Sequence, residues 1–248
     1  MFLIYIADLK TQGKDNRLIK FADDCTLLVP AGSSVSVECE MKSIKEWAIL
    51  NKMMLNLGKT KEIVFHRPHP RKFSLPPKLT DIEQVSSAKL LGVYFTDQLS
   101  MTEHLNKTVA VCNQRLYLLC QLKKQGMSVS CLQIVFDSIV ICKILYASPA
   151  WFGYVNNDHV NLIQKLLSKA FRWGLSDKRY DSRDLLSDRD LHLFEIACRP
   201  YHCLYHLLPP ERHVGYDLRD RGHSHELIAH KYKMTRSSFI VRTLFDNM

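Results

Sequence analysis

After Ser100 the apolar residues of this chain fall onto a helical period and stay there. Leu105, Val109, Cys112, Leu116 and Leu119 step by four, three, four and three residues, which puts them on one face of a long helix. Leu132 to Leu145 and Leu162 to Phe171 are two further amphipathic candidates, and Pro149-Ala150-Trp151 and Asn156-Asn157-Asp158 break them apart. Before residue 99 the texture differs, with short extended runs, turns and one helical stretch. The expected fold class is therefore α+β, with an α+β part at 1–99, a helical part at 100–175 and a looser helix-and-loop tail at 176–248.

The first part opens on an apolar run, Met1 to Ala7, with no turn or cap before it, as expected of a truncated domain. Lys14-Asp15-Asn16 signals a turn, and Leu18 to Val29 reads as a hairpin. At its bend stands Phe21-Ala22-Asp23-Asp24. Two adjacent carboxylates repel each other, and a divalent cation relieves that repulsion, since hard oxygens suit Mg²⁺. Polymerases use such carboxylates to hold two metals for in-line phosphoryl displacement. From 35 to 54, Val37, Met41, Ile44 and Ala48 define one helix face flanked by Trp47, and Asn56-Leu57-Gly58 marks a stop. Thr60 to Phe65 reads as a strand, and His66 to Pro77, with four prolines, as a loop. Lys89 to Phe95 reads as a strand or hairpin with Gly92 at a close approach.

Apolar residues make up 46% of the 248, enough for a packed core rather than wholesale disorder. The formal net charge of +9 favours a polyanionic partner, of which nucleic acid is the commonest. Lys52 to Lys78 holds seven Lys/Arg and one acid, Glu62; it is either a solvated loop or a surface for a phosphate backbone, with Lys52, Lys61, Arg67, Arg71 and Lys72 as the candidate contacts. The eight cysteines are scattered, most of them in apolar helical patterns, and read as small reduced core residues. The opening run lacks a basic leader and meets Asp8 at once, and no apolar run approaches the length of a membrane span. The expected setting is intracellular, nuclear or cytoplasmic, not secreted, with no transmembrane segment. Asp177 to Asp190 mixes acids and arginines, as in an exposed helix or linker, and Arg236 to Phe245 reads as a strand or short helix. No internal repeat is present.

Phe21-Ala22-Asp23-Asp24 resembles the metal-binding palm motif of reverse transcriptases. Its neighbours narrow the resemblance to retrotransposons without long terminal repeats. Phe2-Leu-Ile-Tyr-Ile-Ala-Asp-Leu9 resembles the end of the palm's template-side segment. Trp47, Asn51, Leu55-Asn56 and Lys59-Thr60-Lys61 resemble the palm helix and the "L-N-x-x-K-T" that follows it. Leu90-Leu91-Gly92-Val93 resembles the primer-grip hairpin. His104, Arg115-Leu116 and Tyr146…Pro149-Ala-Trp151 resemble the thumb of jockey-type elements, with Met101 where a tryptophan is usual. Tyr216 to Arg219 and Arg236 to Arg242 resemble the tails of these polyproteins.

The resemblance implies a partial palm at 1–99 and a thumb at 100–175. It implies RNA-directed DNA polymerase chemistry, in which a primer 3′ oxygen attacks a deoxynucleoside triphosphate on an RNA template with two Mg²⁺ or Mn²⁺ ions. By resemblance Asp23 is the principal metal ligand and Asp24 the secondary one. Lys59 lies near the departing pyrophosphate, and Leu91, Gly92 and Val93 hold the primer end. The helical part clamps the duplex of RNA template and DNA primer through its backbone. The family's fingers and the strand bearing its first metal aspartate lie upstream of Met1, so this chain alone is expected to bind metal weakly and not to polymerise. The family places the residue matching Asp8 away from the metals. The remaining readings are a non-catalytic nucleic-acid-binding module and an inert transposon remnant.

Other constellations are weaker. Cys198, His202, Cys203 and His206 invite a zinc reading, but their spacing fits neither a knuckle nor a finger. Lys89 to Lys124 also resembles a segment found with an alkylation-repair dioxygenase homologue, yet no His-x-Asp or His-x-Glu exists to start an iron triad. No Gly-rich phosphate loop appears. The sequence names no protein partner.

Overall fold

The computed structural model describes residues 2–66, 74–212, 223–230 and 232–247. Helix and strand are mixed, in the α+β sense. The chain divides into two compact units: Met1–Val64 with Arg71–Val85, and Phe65–Pro70 with Ser86–Met248. The hairpin expected within the first part falls in the second unit.

In the first unit a short helix α1 (Phe2–Tyr5) precedes β1 (Arg17–Phe21) and β2 (Asp24–Leu28), an antiparallel hairpin pairing Phe21 with Asp24 and Arg17 with Leu28. Helix α2 (Val37–Leu50) starts where Ser36 accepts the Cys39 N–H at 3.3 Å. It buries Ile44 and Ala48 at the predicted spacing. Glu40 on the same helix is also buried. Its carboxylate accepts from the backbone N–H groups of Gln12 (3.0 Å) and Gly13 (2.7 Å) and from the Asn16 side chain (2.7 Å). Burial pushes its pKa up, and these donors more than reverse that, leaving it below the ordinary glutamate value. Only Lys61–Glu62 of the expected 60–65 strand is extended; this β3 pairs in parallel with β4 (Glu83–Gln84).

The second unit begins with the antiparallel hairpin β5 (Ser87–Leu90) and β6 (Val93–Thr96). Helix α3 (Thr102–Lys124) buries Leu105, Cys112, Leu116 and Leu119, four of the five residues of the sequence stripe. Burial pushes the Cys112 thiol up to about 11. The expected 132–145 helix runs as α4 (Val129–Phe136), a π turn at Asp137–Ile141 and α5 (Cys142–Leu145). The Arg115 guanidinium donates to the Ile139 carbonyl inside that turn, where the helical ladder is disturbed. Helix α6 (Ser148–Trp151) follows the left-handed Ala147 (φ 52°). Helix α7 (Asn157–Arg172) has a capping box, the Asn156 side chain accepting from His159 N–H while the His159 ring accepts from Asn156 N–H. Helix α8 (Ser182–Ala197), α9 (Lys233–Ser237) and α10 (Phe239–Asp246) complete the described elements. Val93, Met101, Phe136, Val140, Ile144, Trp151, Ile163 and Leu186 join the α3 stripe in one core.

Three expectations change. The strands do not merge into one palm-like sheet; among the described residues they form three separate two-stranded pairs. Of the exposed helix or linker expected at 177–190, most forms helix α8 with its acids and arginines exposed, and the exception is Asp190, which α8 buries with Leu186. Cys25, Cys39, Cys131, Cys142 and Cys203 are exposed and all eight cysteines are free thiols, because Cys39, Cys131 and Cys142 fall on the outer faces of their helices. Among the described residues one stretch, Val129–Tyr154, has the length and apolar composition to cross a membrane. The π turn and Ala147 interrupt it, and its Leu132, Phe136, Val140 and Trp151 sit in the helical core.

Candidate active site

The β1–β2 hairpin is closed by Ala22 and Asp23, a two-residue connection that puts Ala22 at φ 50°. A side chain in that region costs about 1–2 kcal/mol relative to right-handed backbone, so the tip is held by the ladder behind it. Cross-strand pairing puts Asp24, Phe21, Ile19 and Leu28 on one face of the hairpin. That face is largely open to solvent, with Phe21 61% and Ile19 54% exposed. Lys20, on the other face, donates to the Ile6 carbonyl at 2.5 Å. Asp23 and Asp24 are both exposed, and neither side chain makes a hydrogen bond or ion pair among the described residues. Burial, and secondarily the negative charge of these two carboxylates, raises the Cys25 pKa against the opposing pull of Lys20.

Two exposed carboxylate side chains from consecutive residues supply hard oxygens, but a divalent ion takes about six. Among the described residues no group of three or more His, Cys, Asp or Glu side chains converges, at this tip or elsewhere. Asp8 is engaged at α2, accepting the Trp47 indole N–H at 3.3 Å. Asp23 and Asp24 therefore do not by themselves fit a two-metal centre. Cys198, His202, Cys203 and His206 do not converge either; only Tyr205–Leu207 of that stretch is helical, and His202 Nδ1 accepts the Leu204 N–H.

The predicted cations are dispersed. Lys59 is exposed in the turn after α2, where its own N–H donates to Asn56. Lys52 ends α2 in left-handed backbone at φ 54° and is exposed. Lys61 is paired with Glu83, whose pKa that contact lowers, so its charge is partly spent. Arg67, Arg71 and Lys72 lie outside the described residues.

At the second hairpin, Leu91 (φ 45°) and Gly92 (φ 87°) form the tip. Val93 turns its side chain into the helical core, and Leu91 with the Gly92 backbone remains at the surface. Three residues of the thumb pattern, His104, Tyr146 and Trp151, are linked in space. The Tyr146 hydroxyl donates to the Leu91 carbonyl at 2.8 Å, and the Trp151 indole N–H donates to the Tyr146 carbonyl at 3.0 Å. Buried His104 lies 5.5 Å from the Trp151 ring and accepts the Tyr94 N–H at 3.5 Å. Burial, with Lys143 adding to it, lowers the His104 pKa to about 4.

Two polar clusters had no sequence signal. Asp190 accepts from Arg242 Nε at 3.0 Å and Nη2 at 2.7 Å, and Arg242 also reaches the Ser237 and Pro149 carbonyls. Tyr180 donates to Asp137 at 2.6 Å beside Gln133, which accepts from Ser176 at 2.7 Å. Each cluster joins segments more than 40 residues apart, 190 with 242 and 133–137 with 176–180, and no spacing rule connects them. Comparison with known proteins finds no family model that matches the chain, no curated protein similar to it and no similar solved structure.

Proposed function

We propose that this chain is a portion of a non-long-terminal-repeat retrotransposon reverse transcriptase. In this reading Met1 to about residue 99 carries palm sequence from the second metal motif onward, and the helices that follow are thumb and tail. The observation that carries the reading is the hairpin tip: adjacent, exposed carboxylates with unpartnered side chains, Asp23 in the two-residue turn and Asp24 opening β2. The same tip lacks a third carboxylate among the described residues. The chain by itself is therefore read as binding metal weakly and not polymerising alone. Its positive charge supplies a salt-sensitive, sequence-indifferent attraction to nucleic-acid backbones.

Primer extension on an RNA template with Mg²⁺ or Mn²⁺ tests this directly. The expected result is no extended product. Robust synthesis that disappears in Asp23→Asn would instead make this chain a polymerase. Affinity for nucleic acid that does not change between low and moderate salt removes the binding part of the reading.

A further inference from the structure

We propose that the outer face of α2, with α1 and the turn after α2, docks a second copy of this chain about a two-fold axis. The surface is separate from the carboxylate hairpin and does not depend on the polymerase reading.

Helix α2 turns Ile44 and Ala48 inward. Successive helical residues lie about 100° apart around the axis, so Ile49 and Leu50 fall outside that buried face. They are 74% and 81% exposed, and Met54 after the helix is 97% exposed. Ile4 on α1 is 81% exposed. Tyr5, half exposed itself, donates its hydroxyl to the Asn51 carbonyl at 3.1 Å and so holds α1 against the end of α2. Ile4, Ile49, Leu50 and Met54 are four of the five most exposed large apolar side chains among the described residues. Single exposed apolar residues are ordinary, whereas a cluster of the most exposed ones marks a surface meant to be covered.

The area is the right size for a partner protein. A fully exposed large side chain offers about 200 Å². At the observed exposures Ile4, Tyr5, Ile49, Leu50, Met54 and Leu55 together present roughly 800 Å². One partner contributes about that much to an interface of standard size.

Charge selects the occupant. In a chain of net charge +9, the stretch from Val37 to Leu55 is balanced, with Glu38, Glu40 and Glu46 against Lys42, Lys45 and Lys52. A locally neutral apolar patch has little attraction for a polyanion or an anionic membrane, and it suits a surface like itself. Glu46 and Lys52 stand three residues before and three after Ile49, and both are exposed. Two copies of α2 crossed antiparallel at Ile49 bring Ile49 to Ile49 and each Glu46 to the Lys52 of the other copy. The two-fold axis forms both ion pairs at once. Within its own chain Glu46 lies 4.0 Å from Lys42, a loose exposed pair that leaves it available.

Sedimentation equilibrium of the full chain at low micromolar concentration tests the surface. The expected species is a two-chain particle. Leu50→Glu changes an exposed side chain and is expected to weaken dimerisation at least roughly thirtyfold. Glu46→Lys and Lys52→Glu are each expected to weaken it about fivefold. An equal mixture of those two variants is expected to return to within about threefold of parental affinity, because both facing pairs are again opposite in sign. Phe21→Lys and Asp23→Asn are expected to leave the two-chain species in place, so failure here and failure of the polymerase reading are told apart. A monomer at every concentration overturns the proposal, as does parental dimerisation in Leu50→Glu or a mixture no tighter than its components. A monomer that binds phosphatidylcholine vesicles through Leu50 overturns it in favour of a lipid surface.

Discussion

Tyr146 closes the β5–β6 hairpin from 55 residues away: its hydroxyl donates to the Leu91 carbonyl at 2.8 Å, and its ring fills the space beside Gly92. A Cβ on residue 92 would stand 2.9 Å from Tyr146 Cε1, in backbone at φ 87° that side chains rarely adopt. Gly92 is thus required twice, once by the turn and once by the tyrosine.

Gly92→Ala is expected to destabilise the chain by at least about 2 kcal/mol, the left-handed penalty plus the displaced ring. Tyr146→Phe keeps the ring and loses one hydrogen bond at a partly exposed site, for about 1 kcal/mol. Urea unfolding of both variants checks the order; equal losses would mean that the hydroxyl, not the ring, matters at the tip.

The Asp190–Arg242 pair is buried on both sides. Burial pushes the Asp190 pKa up while Arg242 pulls it back. Arg242→Ala leaves an uncompensated buried carboxylate and is expected to cost roughly 3–5 kcal/mol. Removing both charges with Asp190→Leu and Arg242→Met should restore much of that loss. Gly153→Ala is expected to act like Arg242→Ala, because a Cβ there collides with the Ser237 carbonyl and with Arg242 Nη1. Thermal unfolding of the three variants gives the comparison.

His104 sets a pH dependence with a definite sign. Its folded pKa is about 4 against an ordinary 6.5, chiefly because it is buried. Between those values the unfolded chain binds the proton and the folded chain does not. Stability therefore falls as pH drops from 6.5 to about 4, by about 3 kcal/mol in total, and levels off below. Glu40 works in a lower window: its folded pKa is depressed below 4.5, so its contribution is present above 4.5 and is lost on further acidification. Denaturant midpoints measured from pH 8 to pH 3 should show the first decline flattened in His104→Leu and retained in Glu40→Gln.

The open face of the β1–β2 hairpin makes self-association the expected behaviour of the isolated chain. Ile19, Phe21 and Leu28 are exposed side by side, and neither strand has a further pairing partner among the described residues. Phe21→Lys should lower the apparent mass in sedimentation at high concentration without changing the unfolding midpoint by more than about 0.5 kcal/mol. A parental chain that stays monomeric at every concentration contradicts this.

Where the physics is local, the chain's own order of residues determined the outcome. The 3.6-residue period of Leu105, Cys112, Leu116 and Leu119 became the buried face of α3. The short apolar runs on either side of Phe21-Ala22-Asp23-Asp24 became a hairpin with Asp23 in its turn and Asp24 beside it. Both signals rest on side-chain direction along a single element. Only the tertiary structure decided which of the remaining residues are functional candidates and which are structural. Tyr146, Trp151 and His104 read as a motif in the chain and are linked in space, while Ile49, Leu50 and Met54 carried no motif and form an exposed apolar patch. Asp190 looked like one acid in an exposed charged run, and Arg242, 52 residues on, holds it in the interior. Burial and long-range pairing depend on what other elements cover a residue, and local sequence does not encode that.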